Sequence, residues 1–142
     1  MTPRLKARRR AAQQIIREVA AWAEQETQVR AVALVGSYAR GAERMASDVD
    51  LMVLGDTPET LEDAHWFEQL RPGARLIRSK ASGPVRERRY RLSSGLIVEL
   101  GIAPSSWADV PLDEGTRRVL GDGHRILYDT GLLGKASATV LR

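Results

Sequence analysis

Apolar residues recur at helical spacing early in the chain. Ala12, Ile15, Ile16, Val19 and Ala23 fall on one side, with Gln13, Gln14, Arg17, Glu18 and Glu24 on the other. This spacing predicts an amphipathic helix from about Arg8 to Gln25. The pattern then changes: Val29–Val35 is rich in Val and Ala and ends at Gly36, which reads as a buried strand. A turn segment over 36–46 leads into a second strand, Asp48–Leu54. Thr57-Pro58-Glu59 places a capping residue and a first-turn proline at the head of a predicted helix that runs to about Leu70 and stops before Arg71-Pro72-Gly73. Arg75–Lys80, Val85–Leu92 and Leu96–Ile102 read as three more strands, the last two a hairpin around Ser93-Ser94-Gly95. After a loop with Pro104 and Pro111, the pattern predicts a short helix over Asp113–Leu120 and a brief strand over Arg125–Tyr128. The tail to Arg142 reads as helical or loose. These elements make an α+β fold, expected as one domain over residues 1–142, strand-rich in the middle with helices covering one face.

Composition narrows the class. At 142 residues and 43% apolar, the chain is long and apolar enough for one core rather than disorder. No apolar run approaches the roughly 20 residues that span a bilayer, and the basic N-terminus lacks the apolar stretch of a signal peptide. No membrane association is expected. With no cysteine there are no disulfides and no thiolate metal sites, and cytoplasm is the expected location. The net charge of +4 is unevenly spread. Arg4, Lys6, Arg8, Arg9 and Arg10 form one basic cluster, and a second runs from Arg75 to Arg91, relieved only by Glu87. Such clusters attract phosphates, on nucleotides or on nucleic acid, and equally suit a solvated surface.

The chemistry concentrates between 36 and 51. Gly36-Ser37 directly follows a buried strand, where a glycine lets the backbone turn sharply and approach a ligand, leaving N–H groups and a hydroxyl free for phosphate. Arg40 on the same turn adds a charge-assisted contact. Further on, Asp48 and Asp50 point to one face of a strand while Val49 and Leu51 point to the core. Two carboxylates so close repel unless a cation neutralises them. An all-oxygen set suits Mg²⁺ or Mn²⁺. Glu99 interrupts the apolar run Gly95–Ile102, facing away from Leu96, Val98, Leu100 and Ile102, and is the candidate third acid. His65, His124 and the three tryptophans, Trp22, Trp66 and Trp107, read as structural.

Taken together, Gly36-Ser37-x-Ala39-Arg40-Gly41, a five-residue gap and Ser47-Asp48-x-Asp50-Leu51 resemble the motif of the DNA polymerase beta-like nucleotidyltransferase superfamily, and within it the minimal, stand-alone members. The resemblance implies a mixed, twisted sheet with helices on one face and the acids on the other. It also implies that Asp48, Asp50 and Glu99 hold Mg²⁺ and act in catalysis, that Gly36, Ser37 and Arg40 contact the nucleotide, and that ATP is the donor. Glu99 stands where many members carry Asp. If a two-residue turn closes the last hairpin, Arg88 and Tyr90 share the face of Glu99 and contact phosphate or acceptor. A three-residue turn puts Arg89 and Arg91 there instead, because a one-residue slip flips every side chain. With no large helical substrate domain in evidence, the acceptor surface is expected from the hairpin, the C-terminal segment, a second copy or a helical partner protein. Two alternatives stay open: an antitoxin-like partner protein without catalysis, and an RNA-binding module.

Overall fold

Thr2 starts the first helix, α1 (Pro3–Gln25), by accepting a hydrogen bond from the Leu5 amide at 3.1 Å, with Pro3 in the first turn. The helix therefore begins earlier than its apolar stripe does. The structure is a computed structural model that describes residues 1–141. Strand β1 (Val29–Val35) follows as expected, then a single helical turn, α2 (Ser37–Arg40), inside the segment read as a turn. Strand β2 (Val49–Gly55) leaves Asp48 just ahead of it. The helix expected over 57–70 is broken. A 3₁₀ turn at Pro58–Thr60 gives way to α3 (His65–Leu70), and between them Ala64 is left-handed at φ 55°. The Asp63 carboxylate accepts from the His65 amide, a local bond that competes with a continuous helix.

Three strands come next, β3 (Arg75–Ser82), β4 (Val85–Arg91) and β5 (Ile97–Pro104), followed by a 3₁₀ turn at Ser105–Ala108. The helix α4 (Glu114–Gly121) is capped by Asp113, whose carboxylate accepts from the Thr116 amide. Strand β6 (His124–Asp129) and helix α5 (Leu132–Val140) complete the described residues. All six strands form one sheet in the order β3-β4-β5-β2-β1-β6. β2 and β5 run parallel and the other neighbours antiparallel, so the sheet is mixed.

The larger core lies on one face. Ile15 and Val19 of α1 and Phe67 of α3 close over Val32 and Leu34 of β1, Leu51 and Val53 of β2, and Leu100 and Ile102 of β5. Trp22 stacks on Trp66 with ring centroids 3.8 Å apart, which fixes α1 against α3 and accounts for both indoles as packing. The opposite face carries a second, smaller core in which Trp107, Leu120 and Leu133 cover Ala31, Ala33, Met52 and Leu54. Helices thus cover the central strands on one face, as expected, while β3 stays exposed, and the C-terminal elements add cover to part of the other face. His124 serves this second layer: its ring nitrogens lie 2.8 Å from the Leu120 carbonyl and 2.8 Å from the Ser137 hydroxyl, tying β6 to α4 and α5. No helix among the described residues is long and apolar enough to cross a membrane.

Candidate active site

One row of residues crosses the uncovered half of the second face. Arg78, Arg89, Glu99, Asp50 and Val35 are successive cross-strand partners on β3, β4, β5, β2 and β1. Sheet register therefore sets Asp50 beside Glu99, and Asp48, at the mouth of β2, completes the group. One carboxylate oxygen from each of Asp48, Asp50 and Glu99 lies within 4.8 Å of the others. Their convergence depends on β2 and β5 being parallel neighbours, a pairing that strand periodicity alone does not reveal.

The three acids sit in different surroundings. Asp48 and Glu99 are both met by Arg89, whose Nη1 is 2.8 Å from Asp48 Oδ2 and 3.2 Å from Glu99 Oε2. The Asp50 carboxylate has no hydrogen-bond partner among the described residues. Burial, then the charges of Asp48 and Glu99, push its carboxyl up to about 7, against weaker opposing pulls from Arg89 and Arg40. A partly buried carboxyl with two acidic neighbours and no paired cation of its own is the donor set that a hard divalent cation satisfies.

Gly36 is required next to Asp50. Its φ is 75°, and a Cβ placed there would come within 2.2 Å of Asp50 Oδ2. The bare backbone is what lets the β1–α2 turn lie against the acid. Ser37 opens α2 and is half-buried, while Arg40 closes it and is exposed. Gly123, at φ 122°, is similarly constrained, because a Cβ there would sit 2.6 Å from Arg40 Cγ. The glycine-rich stretch after α4 thus gives the Arg40 stem room, a function its sequence did not disclose.

Gly36, Arg40, Asp50 and Glu99 border a groove of about 320 Å³, completed by Val85 and Glu87 of β4, by Val119 of α4 and by Asp122, which caps the C-terminal end of α4. Its size is at the lower end of the roughly 300–1,000 Å³ usual for small-molecule sites. Glu87, Asp122 and Val119 were not singled out from sequence. The α4 residues follow from a helix packing on the acid face, for which the chain offers no local signal.

The hairpin of β4 and β5 corrects the expectation for Arg88 and Tyr90. The Leu92 amide bonds to the Leu96 carbonyl around a three-residue turn, so Arg89 pairs with Glu99 and Tyr90 with Val98. Arg89 and Arg91 take the acid face. Arg88 and Tyr90 lie on the other: the Arg88 Nε–H bonds to the Glu62 carbonyl, and the buried Tyr90 hydroxyl donates to Glu68 Oε2 at 2.7 Å. Tyr90→Phe should accordingly cost about 1 kcal/mol in urea unfolding through that lost bond and leave nucleotide affinity unchanged. A weakened nucleotide would restore Tyr90 to the site.

A family match agrees with this geometry. Residues 15–79 match the family described as nucleotidyltransferase domain, a span that includes Gly36, Ser37, Arg40, Asp48 and Asp50. No curated protein matches the sequence. Among solved structures, the chain is similar to the one described in "Functional implications from the Cid1 poly(U) polymerase crystal structure", at 15% identity and a TM-score of 0.45. That likeness covers 71% of this chain and 31% of the other, so this chain spans about a third of that one. Residues 15–79, somewhat under half of the chain, are thus similar to nucleotidyltransferase domains.

Proposed function

We propose that the protein is a Mg²⁺-dependent nucleotidyltransferase that moves a nucleotidyl group, AMP from ATP, onto an acceptor hydroxyl. The observation that carries this reading is the convergence of Asp48, Asp50 and Glu99 within 4.8 Å at the edge of a groove bordered by Gly36 and Arg40. A scaffold that only bound a partner would have no use for three carboxylates held together against their own repulsion.

In this account Asp48, Asp50 and Glu99 are the metal ligands, and Mn²⁺ would satisfy them as well as Mg²⁺. Bound divalent ions neutralise phosphate charge and make the acceptor hydroxyl more acidic. Gly36 and Ser37 hold the triphosphate against the β1–α2 turn, and Arg40 adds a charge-assisted bond to its outer phosphates. The acceptor oxygen bonds to the α-phosphorus as the bond to pyrophosphate breaks. The acceptor's proton passes to Glu99 where that carboxylate is within hydrogen-bond reach, and to solvent water where Glu99 serves only as a ligand. Pyrophosphate carries away the displaced charge.

The acceptor is bound by the β3–β4 arm, alone or together with a second copy or partner protein. Arg75, Arg78, Lys80, Arg89 and Arg91 share the acid face of this arm, and every residue of β3 is exposed. An acceptor that carries phosphate, a nucleic-acid end among them, suits that surface best. Incubation with α-labelled ATP, Mg²⁺ and fractionated cell extract should label one acceptor fraction with the wild type and none with Asp48→Asn. Equal labelling by both proteins would contradict the proposal.

A further inference from the structure

Arg89 stands where a cation would have to go. It is the direct antiparallel partner of Glu99, so register, rather than a choice of rotamer, brings its side chain to the acids. A single nitrogen, Nη1, donates to Glu99 Oε2 at 3.2 Å and lies 2.8 Å from Asp48 Oδ2. Its own cross-strand partner, Arg78, reaches the other Glu99 oxygen at 3.4 Å. Both Asp48 and Glu99 belong to the 4.8 Å cluster, and their oxygens cannot serve the guanidinium and a divalent ion in the same place at once. Two cations crowded there would also repel each other.

We infer that Arg89 is an internal counter-ion that competes with the metal for Asp48 and Glu99 and, once displaced, becomes a ligand for a phosphate of the incoming substrate. The inference rests on the reading of these acids as a metal site. Its chemistry follows from charge. A planar guanidinium matches phosphate as well as carboxylate, so a displaced Arg89 needs a new anion beside the site. Its backbone, opposite Glu99, keeps it on the acid face in either state, with Arg78 next to it. Metal alone leaves the displaced arginine unpaired, and polyphosphate alone finds it already taken. Each ligand therefore favours the other, which is a coupling free energy between two parts of one site. The site stays closed to free metal and opens to metal and polyphosphate together.

The consequence is a substitution whose two effects have opposite sign. Arg89→Gln should bind Mn²⁺ about tenfold tighter than wild type in the absence of nucleotide, because the Arg89 bonds to Asp48 and Glu99 no longer have to be broken. The same variant should bind the Mg²⁺ complex of inorganic tripolyphosphate about tenfold more weakly, because the arginine it would recruit is gone. Mn²⁺ binding is read by electron paramagnetic resonance of the free ion, and Mg²⁺–tripolyphosphate binding by calorimetry. Arg10→Gln is the control: it removes the same charge from an exposed position on α1, which packs on the opposite face of the sheet, and should change both constants less than twofold. Circular dichroism and urea unfolding establish that Arg89→Gln is folded. If it binds Mn²⁺ no tighter, or both constants move in the same direction, Arg89 is only a neighbouring charge and the inference fails while the metal-site reading stands. If wild type binds neither Mn²⁺ nor Mg²⁺–tripolyphosphate, the proposed function fails with it.

Discussion

Asp50→Asn should produce a protein that is more stable than wild type without metal and nearly inactive with it. The stability half follows from the raised carboxyl. Asp50 moves from an ordinary 3.8 to about 7 on folding, so between these values the native state holds a proton that the unfolded chain has released. Stability therefore falls as pH rises from about 4 to 7, and above 7 the full cost of an ionised Asp50 is present. The shift corresponds to at most about 4 kcal/mol at 1.36 kcal/mol per unit. Asparagine has no charge to suppress, so the variant should gain a few kcal/mol at pH 8, gain nothing below pH 4, and lose most of the wild-type slope between. Urea unfolding in EDTA across pH 4–8 measures this directly. The activity half rests on the proposed role of Asp50 as a metal ligand, a contribution of several kcal/mol that corresponds to a fall on the order of 10³-fold in turnover. A residue that weakens the resting fold and is retained for chemistry is the common signature of an active site.

Gly36→Ala should damage the fold and the site together. At φ 75° an L side chain is strained, and the added methyl would stand 2.2 Å from Asp50 Oδ2. Strain and overpacking together should cost about 2–5 kcal/mol. Relief requires the turn or the acid to move, and a displacement near 1 Å lowers turnover about 10²-fold. Gly41→Ala separates the two causes. Gly41 has a similar φ of 70°, but no atom lies within 4 Å of the place its methyl would take, so this variant carries the strain alone. Urea midpoints that fall equally in both variants would show that contact with Asp50 adds nothing at Gly36.

Where sequence reading succeeded, the residues themselves carried the physics. Strand β1 is rich in Val and Ala and apolar from Ala31 to Val35, and both its ends are as expected. Leu96, Val98, Leu100 and Ile102 alternate cleanly, so the side on which Glu99 emerges is unambiguous. The same Thr-Pro signal illustrates the opposite case. At Thr2-Pro3 it caps a 23-residue helix, whereas at Thr57-Pro58 it heads only a 3₁₀ turn. What differs is tertiary: α1 presents a continuous apolar face to the sheet, whereas the chain after Thr60 must turn through Ala64 to bring Trp66 and Phe67 into the core.

The site was legible as a set of residues and not as a surface. Asp48 and Asp50 were candidates by type and spacing, and Glu99 by interrupting an otherwise apolar strand. Arg89 did not, because its position depends on whether two or three residues close a hairpin, and Ser93-Ser94-Gly95 is compatible with both. Asp122 and Val119 border the groove through the packing of α4, a long-range arrangement outside any local pattern. Trp66 and Trp107 are buried core residues and Trp22 packs partly buried against the larger core, in keeping with their reading as structural.

The measurement that tests the central claim most directly is thermal denaturation of wild type and Asp50→Asn across the four common nucleoside triphosphates, with and without Mg²⁺. A ligand that binds the native state at 100 times its dissociation constant stabilises it by about 2.7 kcal/mol, so donor binding is visible before any acceptor is known. The account predicts a Mg²⁺-dependent rise in wild-type melting temperature, largest with ATP and absent in Asp50→Asn. No rise with any nucleotide at millimolar concentration, or an equal rise in the variant, would contradict it.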